Sequence, residues 1–192
     1  MSSNQLNLYL ALMHYPVYNK NGEVIASAIT NLDLHDISRA AKTYGVRTFY
    51  VVTPLEDQQR LADVIVRYWI KGAGAVYNPT RKAALDLIKV KGSLEEVRED
   101  IARNGDGLPY TVVTDARPYC GSIGFDELSR MIMTYRPYLL LFGTAWGLST
   151  EFIAKADYIL TPIRAGSDYN HLSVRAAVAI VLDRLLGETI RK

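Results

Sequence analysis

The sequence predicts an α/β protein, a mostly parallel six-stranded sheet with helices on both faces. Three observations carry this expectation. Short apolar runs alternate with longer segments of helical period, the pattern of βα units. The 192 residues are 49% hydrophobic and 22% charged, which fits one core-forming domain spanning 1–192 and excludes disorder. Finally, the unusual segments lie just after the strand-like runs, where open parallel sheets bind their ligands.

The strand-like runs are "NLYLALMH" (7 to 14), "RTFYVVT" (47 to 53), a weaker "DLIKVKG" (86 to 92), "YTVVTDA" (110 to 116), "YLLLFG" (138 to 143) and "YILTPI" (158 to 163). Helical period is read in 33 to 45, 55 to 72, 93 to 105 and 125 to 135, in a short piece at 150 to 156, and in a long last segment at 170 to 187. Ser93 precedes Leu94-Glu95-Glu96 in capping-box spacing, and Gly45, Gly72, Gly105 and Gly187 stand where helices would stop. The last segment places Leu172, Val174, Ala177, Val178, Val181, Leu182, Leu185 and Leu186 on one wide apolar face. That face packs deeply or builds a subunit interface. No repeat, low-complexity tract or linker divides the chain.

Cys120 is the one cysteine and cannot form an internal disulfide. No signal-like amino terminus is present, and no apolar run approaches the ~18 residues a membrane span needs. The expectation is a soluble, cytoplasmic protein with no membrane partner. A formal charge of +2 does not announce a nucleic-acid partner, so such a partner has to be argued from local clusters.

Four post-strand segments are unusual: "HYPVYNKNGE", "TDARPYCGSIG", "GTAWGLS" and "TPIRAGSDYNHLS". None is a Walker-type phosphate cradle, no GxGxxG follows the first strand, and no Gly-x-Ser-x-Gly elbow occurs. His14, His35 and His171 are scattered, without Cys or carboxylates at metal-ligand spacing, so no metal is expected. What remains is the pair of loops 143 to 149 and 161 to 171, rich in Gly and small residues. Such loops hydrogen-bond an adenine and a ribose through main chain while apolar residues close on the base. The competing reading is that Gly143, Gly147 and Gly166 only permit tight strand-to-helix turns.

The stretch "LLLFGTAWGLSTEFIAKADYILTPIRAGSDYNHLSVRAAVAIVLDRLLG" (139 to 187) resembles the carboxyl-terminal signature of the SPOUT, or α/β-knot, RNA methyltransferases, especially their tRNA ribose 2′-O-methyltransferase branch. The matching residues, in order and spacing, are Gly143, Gly147-Leu148-Ser149, Ala156-Asp157, Pro162-Ile163, Gly166, Ser173 and Ala176-Ala177. A second match is "DLHDISRAAKTYGV" (33 to 46), similar to the family's first motif, which sets Arg39 on the family's catalytic arginine. The segments "HYPVYNKNGE" and "NLDLHDISR" look like a small bacterial SPOUT group found beside or fused to tRNA (guanine-N1)-methyltransferase.

The resemblance implies a carboxyl-terminal trefoil knot, an exception to the rule that chains avoid knots. It also implies S-adenosyl-L-methionine as cofactor, an RNA substrate in tRNA or rRNA, and a homodimer, paired through the knot region, whose subunits complete each other's sites. Carried over residue by residue, the cofactor loops are Leu141, Phe142, Gly143, Thr144 and Gly147, then Leu160, Ile163 and Gly166, then Asn170, His171, Leu172 and Ser173. Thr114 and Asp115 line the same crevice. Three departures from the ribose-methylating branch stand out: Asp33 for its Asn, "TAW" (144 to 146) for its acidic loop, and His171 for a second Asn. They leave base methylation as open as ribose methylation.

For catalysis, Arg39 offers fixed donors to a phosphate or to the attacking atom, against the plain reading of a surface arginine on an amphipathic helix. His171 can accept a proton near neutral pH, or merely cap a helix. His35, one turn before Arg39, shares its face with Asp36 nearby and marks a second catalytic surface. His14 and Tyr15 are weaker candidates that can simply pack. For RNA, Arg67, Lys71, Arg81, Lys82, Lys89 and Lys91 gather near Tyr68, Trp69 and Tyr77, residue types that bind phosphates and stack on bases. A second functional reading is a non-catalytic knot-fold module that binds the cofactor or a partner enzyme. A third is a nucleotide-binding α/β domain without a knot.

Overall fold

A computed structural model describes residues 6–187. Six parallel strands form one sheet: β1 (Leu8–Met13), β4 (Thr48–Val52), β5 (Ile88–Lys91), β6 (Tyr110–Thr114), β7 (Tyr138–Gly143) and β8 (Tyr158–Leu160). Their order across the sheet is β5-β4-β1-β7-β6-β8. The first half of the chain builds outward from β1 on one side. The second half fills the other side, with β7 inserted between β1 and β6.

Every residue of β1 is buried, because the strand is central and covered on both faces. Leu8, Leu10 and Leu12 enter one core with residues of α1 (Asn31–Thr43), α2 (Glu56–Lys71), α4 (Pro79–Leu85), α6 (Phe125–Ile132) and α8 (Val174–Leu186). Tyr9, Ala11 and Met13 enter the other core with α5 (Leu94–Ile101) and α7 (Thr150–Ile153). The alternation of a strand thus divides two helical layers, and the expected helices on both faces are present.

Several boundaries differ from the sequence reading. The helix expected over 93 to 105 begins as foreseen, with Ser93 Oγ accepting from the Glu96 N–H, and the Glu96 carboxylate accepting from the Gly92 N–H. It then widens into a π turn over Ala102–Asp106, so Gly105 is not its stop; Gly107, at φ 80°, turns the chain instead. The last helix begins at Val174, not at 170. Ser173 is its N-cap, and Leu172 is exposed, outside the buried face.

Two helices, α3 (Ala73–Tyr77) and α4, were not foreseen. Each is short and follows a breaker, Gly72 or Asn78-Pro79, so neither carries two turns of clean period. A hairpin of β2 (Val17–Tyr18) and β3 (Val24–Ile25) also escaped notice, because two-residue strands have no periodicity to read.

Candidate active site

At the carboxyl ends of β6, β7 and β8, against the amino terminus of α8, lies a cleft of about 830 Å³. Phe142, Leu160, Ile163 and Leu172 supply apolar wall, while Ser27, Thr30, Asp33, Asp115, Arg117, His171 and Arg175 supply polar groups. The size and mixed lining are those of a small-molecule site.

One wall is the loop from β7 to α7. Gly143 is required there: a Cβ on it would come within 2.8 Å of Leu148 Cγ and 2.9 Å of the Leu148 nitrogen, because the loop doubles back on the strand end. Ala145 at φ 51° and Gly147 at φ 93° complete the reversal. The turn is clamped by the β2–β3 hairpin. Trp146 N–H donates to the Tyr18 carbonyl (3.1 Å), Tyr18 N–H to the Gly147 carbonyl (2.9 Å), and Ser149 N–H to the Pro16 carbonyl (3.1 Å). The Tyr18 hydroxyl accepts from the Thr150 N–H at 3.1 Å. The main-chain donors of this loop are thus largely spent, and Trp146 stands 65% exposed on a fixed backbone.

The opposite wall behaves differently. From Ile163 to Leu172, the one main-chain N–H with a partner among the described residues is that of Tyr169, held by Ser167 Oγ. Unspent peptide groups beside apolar side chains suit the edge of a flat heteroaromatic ring. Asn170 fastens this segment across the cleft by donating to the Ala116 carbonyl at 3.0 Å. Asp157 fixes the strand beneath, since its Oδ2 accepts from both the N–H and the hydroxyl of Thr111 (2.8 and 2.7 Å).

Two ion pairs line the cleft. Asp115 and Arg117 form a two-pronged pair (3.0 and 2.7 Å), and Arg117 also donates to the Leu148 carbonyl. The Asp115 carboxylate raises the Arg117 pKa further above its ordinary value. The pair braces the β7–α7 loop, with Asp115 Oδ2 lying 3.8 Å from where a Cβ of Gly147 would stand. A carboxylate therefore does reach this loop, supplied from the neighbouring strand end. The second pair joins Asp33 on α1 to Arg175 on α8 at 2.9 Å, with Asp36 3.4 Å from the Arg175 Nε. Thr30 Oγ1 donates to the other Asp33 oxygen at 2.7 Å.

Beneath the cleft floor His14 is fully buried. Its Nδ1 lies 2.9 Å from Ser27 Oγ, which is 2.5 Å from Thr144 Oγ1, and Thr144 donates to the Met13 carbonyl at 3.2 Å. Since Thr144 donates onward, Ser27 donates to Thr144 and accepts from a protonated Nδ1. Nε2 is then a buried lone pair without a hydrogen-bond partner among the described residues. Burial pushes the imidazole pKa down to about 4, against a smaller opposing pull from Asp33, so the ring is neutral at physiological pH.

Most sequence-stated cofactor positions line this cleft: Thr114, Asp115, Phe142, Gly143, Thr144, Gly147, Leu160, Ile163, Asn170, His171, Leu172 and Ser173. Leu141 and Gly166 are not in its lining; Leu141 is buried on the other face of the strand. Of the catalytic candidates His171 lines the cleft, its ring edge-on to Tyr169 at 5.2 Å. Arg39 is exposed and lies outside the cleft. His35 is outside as well, packed edge-on against Trp69 at 5.2 Å, with Arg81 over the indole at 4.9 Å. Burial first, then the nearby Arg81 charge, lowers the His35 pKa.

The basic and aromatic cluster is divided. Lys89 and Lys91 both bind Asp100, and although burial alone would raise that carboxyl, bonds from Lys89, Tyr50 and Lys91 hold it down at about 2. Trp69 packs between helices, leaving Tyr68 and Tyr77 as the exposed rings. Sequence reasoning missed Ser27, Thr30, Arg117 and Arg175 as lining residues; an arginine in the first turn of α8 was the one available signal.

The fold is shared with solved methyltransferase structures, a SpoU methyltransferase among them. The structure of AviRb from Streptomyces viridochromogenes, solved with AdoMet, aligns over 98% of this chain and 62% of its own with a TM-score of 0.58 at 21% identity. A methylase-family protein of Neisseria gonorrhoeae aligns over 98% and 85%, with a TM-score of 0.65 at 16% identity. Residues 7–187 match the model of the SAM-dependent RNA methyltransferase family, and the chain belongs to that family. It is 46% identical over 184 residues to a tRNA (guanine-N(1)-)-methyltransferase of Oleidesulfovibrio alaskensis, and 49% identical over 183 residues to one of Nitratidesulfovibrio vulgaris. The matches cover 96% and 95% of this chain but only 43% and 42% of those proteins, so the chain spans less than half their length.

Proposed function

We propose that this chain methylates a base in tRNA, using S-adenosylmethionine bound in the cleft. The observation that carries the reading is the pairing of two unlike walls: a rigid β7–α7 turn and a 163 to 172 segment with unspent peptide groups, closed by apolar side chains. The residues fit the cofactor. Phe142, Leu160, Ile163 and Leu172 would take the adenine faces, and the unspent main chain of 163 to 172 its polar edges and the ribose.

When bound, S-adenosylmethionine supplies a methyl group already activated by its sulfonium. The protein is left to orient the nucleophile and to manage one proton. His171, exposed and part of the cleft lining, would accept that proton. Asp33, Trp146 and His171 depart from the ribose-methylating pattern, and two relatives are named for a guanine-N1 reaction on tRNA; both points favour a base nitrogen.

We further infer a homodimer. Ala176, Ala179 and Ile180 are apolar yet only half-buried on a helix whose other side is core. Arg39, outside its own cleft, would then be supplied to the partner's. The insertion of β7 between β1 and β6, with 161 to 173 returning beside the β7–α7 loop, supports a trefoil knot. No helix among the described residues is long and apolar enough to cross a membrane, in keeping with a cytoplasmic enzyme.

Mass mapping of modified nucleosides in tRNA, from strains with and without the gene, tests the reading. One methylated base should disappear and return with the wild-type gene but not with Arg39→Ala. An unchanged nucleoside profile overturns methyl transfer. Loss of a ribose-methylated nucleoside overturns the base assignment.

A further inference from the structure

We propose that the Asp33–Arg175 pair is the receptor for the amino-acid end of the cofactor, the guanidinium taking its carboxylate and the Asp33 carboxylate its ammonium. This rests on the methyl-transfer reading and extends it to the amino-acid end of the cofactor. Both residues line the cleft, Asp33 with 8% and Arg175 with 32% of the side chain exposed. A zwitterion presents both signs a short distance apart, and a preformed pair of opposite charges is its complement. Desolvating such a pair is costly and a weak source of stability in its own right, which leaves ligand binding as the use that offsets it.

The other ion pair in the cleft does not suit this role. Arg117 spends Nε and one terminal nitrogen on a single carboxylate and reaches the Leu148 carbonyl as well, while Asp115 also accepts from the Arg117 N–H. Both Asp115 oxygens are thereby taken, Oδ1 by the Arg117 N–H and Nε, and Oδ2 by the Arg117 terminal nitrogen and the Tyr119 hydroxyl, so this carboxylate is closed to an ammonium. Arg175 divides its contacts instead, one terminal nitrogen to Asp33 and Nε beside Asp36, so its other terminal nitrogen has no partner among the described residues. The two carboxylates fix the plane of the guanidinium and leave one edge of its fork for a ligand.

The helix reinforces the choice. Arg175 lies in the first turn of α8, where Ser173 Oγ accepts from the Ala176 N–H and the N–H groups of Val174 and Arg175 have no partner among the described residues. An anion placed there meets the guanidinium, the free peptide donors and the positive end of a 13-residue helix together.

Titration calorimetry with S-adenosylhomocysteine and with 5′-methylthioadenosine, which lacks the amino-acid end, tests the assignment. Arg175→Ala and Asp33→Asn should weaken S-adenosylhomocysteine roughly 10- to 100-fold while changing 5′-methylthioadenosine by no more than about twofold. Arg175→Lys, which keeps the charge but loses the fork, should fall between wild type and Arg175→Ala. Retained binding of the truncated ligand certifies that the variants fold. Equal losses for both ligands, or no loss for either, overturns the proposal and leaves the methyl-transfer reading intact. If the wild-type protein binds neither ligand, the methyl-transfer reading falls and this proposal with it.

Discussion

His14 sets a measurable condition on the whole protein. Its folded pKa, about 4, lies below the ~6.5 of an unfolded histidine, so as pH falls the unfolded chain takes up the proton first. Stability is therefore complete above about pH 6.5, declines from there toward pH 4, and is flat below; the full difference is roughly 3 kcal/mol. Urea denaturation of wild type and His14→Gln at pH 7.5 and 4.5 checks this. The variant should lose that part of the acid sensitivity, and equal slopes would contradict the assignment. Serine and threonine at 27 and 144 carry the effect to the cleft floor, since protonating the ring would place beneath them a charge that burial disfavours more than Asp33 and the Ala28 backbone favour it. The importance of His14 was not legible in the sequence, where it is one residue past a strand; burial and a serine thirteen residues away make it what it is.

Among the elements, the β7–α7 turn is the most constrained. Gly143→Ala places a methyl 2.8 and 2.9 Å from atoms of Leu148, and the Leu148 nitrogen cannot rotate away. A loss of about 1–3 kcal/mol is expected, together with weaker S-adenosylhomocysteine binding, both read from thermal melts with and without ligand. Gly166→Ala makes the contrast: a Cβ there meets nothing within 4 Å and the residue is not at positive φ, so its melting temperature should stay within about 2 °C of wild type. The two glycines look alike in the sequence. Strand positions were legible because Leu8, Leu10 and Leu12 alternate with Tyr9, Ala11 and Met13 in a run buried on both faces. The loops that line the cleft were legible through family spacing. Arg175 was not, because its meaning depends on Asp33, 142 residues earlier in the chain.

At the scale of the molecule, the half-buried Ala176, Ala179 and Ile180 of α8 predict a dimer of the 21.5 kDa chain. Sedimentation velocity should give twice that mass for wild type and a folded monomer for Ile180→Glu. If Arg39 serves the partner's cleft, that monomer loses methyl transfer while still binding S-adenosylhomocysteine within about threefold, a split that damage to the cleft would not produce. Mixing it with Arg39→Ala should not restore activity, since the substituted helix cannot pair. The hairpin of Val17–Tyr18 and Val24–Ile25 bears on how such a family diversifies. The tip of the 144 to 149 turn is held by peptide groups of residues 16 to 18, far away in the chain, and not by the side chains of Ala145 and Trp146. Shape and chemistry are thereby separable at position 146: the exposed Trp146 side chain can be exchanged without rebuilding the loop, while the hairpin preserves the cleft wall.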